Sequence, residues 1–317
     1  MFFAKFALLN QMKIIFMGTP EFAVPSLRVL VEAGYQVVAV ITASDQAAGR
    51  GLKPTESAVK QYAKSQNLLV LQPEKLKNPE FLATLQSLNA DLQVVVAFRM
   101  LPEAVWAMPP KGTFNLHASL LPKYRGAAPI HWAVINGETE TGATTFFLTH
   151  EIDTGDIILQ QKMPISPHQT TGETYEILME IGADLVLKTV QSIENNTVKT
   201  SPQAEIIATP APKIFRPDCA INWQKNLHEL HNFVRGMSPY PCAYTTTTDG
   251  KTLKIYRSQP HVASHTSDPK TVLIDKKTIK IAVKDGYLEI LELQLEGKKR
   301  MTAAAFLAGY PQAFALR

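Results

Sequence analysis

Gly112-Thr113-Phe114-Asn115-Leu116-His117-Ala118-Ser119-Leu120-Leu121-Pro122 is the stretch on which the reading of this chain turns. It begins as a short strand and runs out into a loop. Side chains alternate faces along a strand, so Asn115 and His117 share one face while Phe114 and Leu116 share the other. Upstream, Leu92–Ala97 (Leu-Gln-Val-Val-Val-Ala), Gln36–Thr42 and Lys13–Met17 read as further apolar strands. Between them lie helical patterns: Glu21–Ala33 ending at Gly34, Thr55–Gln66, and a start at Asn78-Pro79-Glu80, which offers a cap residue, a first-turn proline and an acid. Downstream, Ala127–Asn136 is helical, Ala143–Thr149 and Ile157–Met163 are strands, and Glu173–Glu194 is a long helix. Such alternation specifies an α/β fold, a twisted and mainly parallel sheet covered on both faces. In open sheets of that kind, ligands bind beyond the carboxyl ends of the strands, where His117 falls.

A proline-rich polar stretch, Asn195–Lys213, reads as a linker. After it come an amphipathic helix, Lys225–Arg235, and short strands at Ala243–Thr247, Thr252–Ser258, Thr271–Ile274, Ile279–Val283 and Leu288–Gln294. Turns such as Asp249-Gly250 and Asp285-Gly286 separate some of them, the pattern of a small β-barrel. Two domains are therefore expected, 12–208 and 209–317. Their charges differ. The first holds 16 Lys+Arg against 19 Asp+Glu within residues 1–208, and the second holds 16 against 9, within a chain total of +4. A basic second half suits a polyanionic partner, although a few net positive charges also serve solubility alone.

Two cysteines, Cys219 and Cys242, form neither a CxxC nor a disulfide framework. No apolar run reaches the ~20 residues of a membrane span. Met1–Gln11 is apolar with one lysine, too short for a secretory signal, and is expected to be dispensable.

Glu151-Ile152-Asp153-Thr154-Gly155-Asp156 is a turn that supplies a carboxylate. An amide, an imidazole and a carboxylate suffice to move an acyl group between two nitrogens. Asn115 and protonated His117 can donate to the oxygen that becomes negative, and Asp153 can balance the ring's charge and accept a proton from the incoming amine. On spacing alone, the same residues could equally be turn formers and a hydrogen-bonded core histidine.

Three segments together, Asn115–Pro122, Tyr124-Arg125-Gly126-Ala127-Ala128-Pro129-Ile130 and Asp153-Thr154-Gly155-Asp156, resemble the 10-formyltetrahydrofolate-dependent formyltransferases in wording, order and spacing. The resemblance runs from Met12 to the C-terminus. It implies a Rossmann-like formyltransferase domain at the N-terminus and a smaller C-terminal β-barrel like an oligonucleotide-binding (OB) fold. It implies catalysis by Asn115, His117 and Asp153, with folate held along Ser119, Leu120, Leu121 and Pro122. The donor is then 10-formyltetrahydrofolate, with no metal. The expected acceptor is the α-amino group of initiator methionyl-tRNA, gripped by the basic second half and by Arg50 and Lys53 of a Gly49-Arg50-Gly51 insertion. The alternatives are an amino sugar nucleotide or other small amine as acceptor, or water, which would make the enzyme a hydrolase. A cytoplasmic monomer acting away from membranes is expected.

Other motifs fit less. Phe16-Met17-Gly18-Thr19-Pro20-Glu21 has one glycine where a dinucleotide fingerprint needs three, and reads as a tight turn with Thr19 as helix cap. Phe98-Arg99-Met100-Leu101 is one residue shorter than the commoner family wording. Lys123 and Arg125 could face a polyanion or a folate tail. His228 and His231 could pair on a helix, but nothing nearby completes a ligand set, and both read as surface. Lys298-Lys299-Arg300 could meet phosphate.

Overall fold

The computed structural model describes residues 12–48, 53–310 and 315–316. Met1–Gln11 lies outside the described residues. The chain forms two compact units: Met1–Arg125 with Gly142–Lys162 and Glu176–Thr209, and Gly126–Thr141 with Met163–Tyr175 and Pro210–Arg317.

The first unit is built on β1 (Lys13–Gly18), β2 (Gln36–Ile41), a small hairpin of β3 (Gln46–Ala48) and β4 (Lys53–Thr55), β5 (Val70–Leu71), β6 (Leu92–Val96), β7 (Thr113–His117), β8 (Glu140–Phe147) and β9 (Ile157–Pro164). Seven of these make one sheet in the order β5-β2-β1-β6-β7-β8-β9. Pairing is parallel from β5 through β7, and β8 runs antiparallel to β7. Buried β-branched and aromatic side chains fill the strands; Ile14, Ile15, Phe16 and Met17 of β1 have no exposed surface. Such uniformly apolar strands are the mark of a sheet covered on both faces.

Around it lie α1 (Val24–Glu32), α2 (Ala58–Ser65), α3 (Pro79–Ser87) and α4 (Glu103–Trp106). Asn78 caps α3 as its sequence requires, its Oδ1 accepting the Glu80 N–H at 2.8 Å. Phe81 and Leu85 of α3 and Val105 of α4 cluster with Ile15, Met17, Ile41 and Val95 of the sheet. Thr19 does not cap α1. The chain enters through a 3-10 turn, Glu21–Ala23, with extended Pro20 in the cap position and no side-chain cap bond. That extended residue sets the Thr19 hydroxyl one step too far back to reach the free N–H groups.

The second unit contains α5 (Pro129–Ile135), the start of α6 (Thr171–Glu194), α7 (Leu227–Met237), α8 (Ala303–Gly309) and an antiparallel sheet. Its strands are β10 (Ala243–Thr246), β11 (Thr252–Val262), β12 (Val272–Asp275), β13 (Thr278–Val283), β14 (Gly286–Leu295) and β15 (Met301–Thr302). They run β10-β11-β14-β13-β12, with β15 added beside β14. The core joins the apolar face of α7 (Leu227, Leu230, Val234, Met237) to Ile255, Ile281, Leu288, Ile290 and Phe306. α7 carries a full capping box between Asn226 and Glu229. Among the described residues, no helix is long and apolar enough to cross a membrane.

Candidate active site

Strand β7 places the first two candidate side chains. Asn115 pairs in register with Val95 of β6 and Phe146 of β8, and His117 with Thr144 of β8. Leu116 packs against Gly182 of α6, where an added Cβ would come within 2.7 Å of it. Alternation therefore turns Asn115 and His117 to the opposite face. Asn115 is half-buried, and among the described residues no hydrogen bond holds its amide. That leaves a donor available to a bound molecule.

His117 is 6% exposed. Its Nε2 lies 2.8 Å from the Tyr124 carbonyl oxygen. A carbonyl can only accept, so Nε2 carries the hydrogen and Nδ1 is the edge left for chemistry. That edge faces Asp153: Nδ1 to Oδ2 is 3.7 Å, within ion-pair reach but longer than a hydrogen bond. Tyr124, whose carbonyl fixes the ring, has a left-handed backbone (φ 62), as does Asp153 (φ 56).

The Asp153 turn is tightly drawn. Gly155 cannot carry a side chain, since a Cβ there would sit 1.7 Å from the Phe147 carbonyl oxygen. Thr149 and Thr154 share a hydroxyl contact of 3.1 Å, and Thr154 donates to the Glu151 carbonyl at 3.2 Å.

The Ser119–Pro122 loop is pinned from within. Ser119 is fully buried, and its Oγ donates to the Lys123 carbonyl at 2.6 Å. Thr144 Oγ1 donates to the Ser119 carbonyl at 2.6 Å, and Gln160 Nε2 donates to the Leu121 carbonyl at 2.8 Å. The Leu121–Pro122 peptide is cis. Leu121 is buried, while Leu120 is half-buried over Gly142, where a Cβ would lie 2.5 Å from its Cδ2. In this loop the Ser119 hydroxyl supports the backbone, Leu121 and Pro122 are buried, and Leu120 keeps part of its hydrocarbon surface exposed.

The structure brings Asn115, His117 and Asp153 onto one strand face and its facing turn, with Ser119, Leu120, Leu121 and Pro122 following directly in the chain. Arg50 lies outside the described residues, and Lys53 opens β4. Arg99 turns to the carbonyls of Glu74 and Pro73, the first at 2.9 Å. The Arg125 guanidinium engages Gln203 and Glu205. Gln203 in turn donates to the Asp153 and Gly155 carbonyls, a contact that its place in a proline-rich linker conceals.

In the second unit, Arg300 stacks over Tyr256 at 4.3 Å and pairs with Glu292. His228 is exposed, but His231 is buried and not on the surface. Its Nδ1 meets Ser258 Oγ at 3.0 Å, and its Nε2 lies 3.1 Å from the Pro167 carbonyl and 3.2 Å from His168 Nδ1. Burial pushes its pKa down to about 4, partly opposed by that carbonyl and aided by the nearby His168, Arg235 and His228. The reason for the departure is α7's apolar stripe, which carries position 231 inward beside Leu227, Leu230 and Val234.

Two family models match the chain: formyl transferase over residues 12–190, and formyl transferase, C-terminal domain, over residues 213–311. The methionyl-tRNA formyltransferase of Parabacteroides distasonis is 54% identical over 96% of this chain and 97% of its own length. That of Phocaeicola vulgatus is 55% identical over 95% and 96%. Among solved structures, a sugar 3N-formyl transferase crystallised with dTDP and 5-N-formyl-THF matches with a TM-score of 0.66 at 23% identity, over 92% of this chain and all of that one. HypX from Aquifex aeolicus in complex with tetrahydrofolic acid matches with a TM-score of 0.63 at 17% identity, over 96% of this chain and 48% of that one.

Proposed function

This chain belongs to the formyl transferase family, and from that premise we propose that it moves a formyl group from 10-formyltetrahydrofolate to the α-amino group of initiator methionyl-tRNA, supplying formylated initiator for translation. The choice of acceptor is supported by the names of relatives about 54% identical over nearly the whole chain. The chemistry is supported above all by one observation: the free edge of His117, Nδ1, faces the Asp153 carboxylate at 3.7 Å.

The donor supplies an activated formyl carbon. The residues present fit such a molecule: half-buried Leu120 offers hydrocarbon, Asn115 offers an amide with no described hydrogen bond, and the Ser119 hydroxyl and the Ser119 and Leu121 carbonyls are already bonded within the protein. An α-amino group has a pKa near 7.7–8.0, so a sizeable neutral fraction exists at pH 7 without a strong base. The work of the site is then placement and charge stabilisation. Asn115 donates to the oxygen on which negative charge develops. His117, held by the Tyr124 carbonyl, donates from Nδ1 to that oxygen and returns a proton toward the leaving nitrogen. Asp153 balances the charged ring and accepts the proton that the amine loses.

Residues 12–208 form the catalytic domain in this reading, and 209–317 grip the tRNA. A balance of 16 basic to 9 acidic residues in the latter segment supports that role. Arg50 and Lys53 contact the acceptor stem. The enzyme acts in the cytoplasm as a single chain.

The test is incubation with 10-formyltetrahydrofolate and a panel of acceptors, followed by mass measurement. The panel holds initiator methionyl-tRNA, free methionine, glycinamide ribonucleotide, an amino sugar nucleotide and water alone. Formylation of the charged tRNA is expected. Transfer only to the sugar nucleotide, or release of formate without transfer, would overturn the assignment.

A further inference from the structure

We infer that the strap Gln203–Thr209 is a positioning element for the reaction, Gln203 setting Asp153 and Thr209 setting the carbonyl that holds His117. The inference rests on the catalytic reading above.

The Gln203 end is fully specified. Its Nε2 donates to the Asp153 carbonyl at 2.9 Å and to the Gly155 carbonyl at 2.8 Å. Its Oε1 accepts from Arg125 Nε at 3.0 Å and Nη2 at 2.7 Å. A guanidinium only donates, so the amide has one orientation, with NH2 toward the turn. Arg125 is itself clamped by Glu205, through Nη1 at 2.9 Å and Nη2 at 2.7 Å. The chain Glu205–Arg125–Gln203 thus ends on two carbonyls that bracket Thr154. Asp153 needs such support. A non-glycine residue in the left-handed region is strained and persists only where surrounding bonds over-determine it.

The Thr209 end reaches the other partner. Thr209 Oγ1 accepts the Tyr124 N–H at 2.9 Å, and the Thr209 carbonyl accepts the Arg125 N–H at 2.9 Å. Between those two N–H groups, along the chain, lies the Tyr124 carbonyl that receives His117 Nε2 at 2.8 Å. One strap therefore ties both sides of the His117–Asp153 pair. At 3.7 Å that pair has no hydrogen bond of its own to hold it in register. Its spacing is set from outside, and a misplacement of about 1 Å can cost ~10²-fold in rate.

Gln203→Met keeps the size and removes every polar contact. Initial rates with initiator methionyl-tRNA and 10-formyltetrahydrofolate should show kcat down roughly 10–100-fold, with both KM values within about threefold of wild type. In an Asp153→Ala background the same substitution should remove little more, because its target is gone. Glu205→Gln, at an exposed carboxylate, should give a milder loss in the same direction and covers the case in which Gln203→Met fails to fold. The strap idea fails if Asp153→Ala is inactive while Gln203→Met and Glu205→Gln turn over normally, or if the Gln203→Met loss persists in full in the Asp153→Ala background. Normal turnover in Asp153→Ala sinks the catalytic reading itself, and with it any placing role for Gln203.

Discussion

Replacing Asp153 with Asn removes one charge and almost no volume. The Nδ1–Oδ2 separation is 3.7 Å, and the two side chains are 7% and 14% exposed. At an effective dielectric constant near 20, two unit charges at that distance interact by roughly 4 kcal/mol. The Asn amide oxygen, as a dipole, returns part of this. A net loss of about 3–4 kcal/mol in stabilising the positive charge that develops in the transition state is left, and at about 1.4 kcal/mol per decade that is a fall in kcat of ~10²–10³. Burial also predicts that the loss is nearly the same at low and high ionic strength, unlike an exposed pair. The assay is single-turnover formylation with saturating donor and charged tRNA, quenched in acid and read by the mobility of the formylated aminoacyl-tRNA. A loss under threefold, or one that vanishes when either substrate is raised, would refute the reasoning, since the carboxylate would then serve binding or nothing.

Asn115→Ala should cost ~10²–10³ in kcat, the usual penalty for one oxyanion donor, with little change in melting temperature because its amide anchors no described part of the protein. Gly155→Ala would set a methyl 1.7 Å from the Phe147 carbonyl oxygen; thermal melts should show a loss of about 1–3 kcal/mol, with turnover falling further as the Asp153 turn shifts. His231 has a folded pKa of about 4 against roughly 6.5 when unfolded, so as pH falls the unfolded chain takes up the proton first. Its contribution is therefore present above pH ~6.5 and lost on the way down to ~4, by about 1–2 kcal/mol after allowing for partial solvent access. Urea midpoints measured across that window should fall less steeply in His231→Gln than in the wild type.

Much of the fold and of the candidate site is legible in the sequence, for physical reasons. β7 announces itself through one β-branched and two apolar side chains around two polar ones, and the observed strand is Thr113–His117. Asn78-Pro79-Glu80 announced a helix start because capping chemistry is local. Other features leave no local signature. β3 and β4 pair on either side of the Gly49-Arg50-Gly51 insertion, and at three residues each they are too short to show a period in sequence. The antiparallel turn of β8 depends on its neighbour rather than its own residues. α8, Ala303–Gly309, is short and rich in alanine, and its place is fixed by packing of Phe306 and Leu307. His231 followed the apolar stripe of α7 inward against its polarity. Gln203 is the clearest case: its partners are main-chain carbonyls 48 and 50 residues away, and a carbonyl is the same atom in every residue.

The strap also dictates where this protein can be shortened. All seven strands of the parallel-dominated sheet are finished by Pro164, and α6 closes at Glu194. A truncation at Glu194 would look finished by topology. It would nonetheless discard Gln203 and Thr209, leaving the Asp153 turn without the amide ties to its Asp153 and Gly155 carbonyls and Tyr124 without its hydroxyl anchor. The shortest fragment able to keep the pair aligned must therefore extend at least through Thr209, fifteen residues past the last helix of its sheet. Excision at the helix end should yield a soluble shell that is chemically mute.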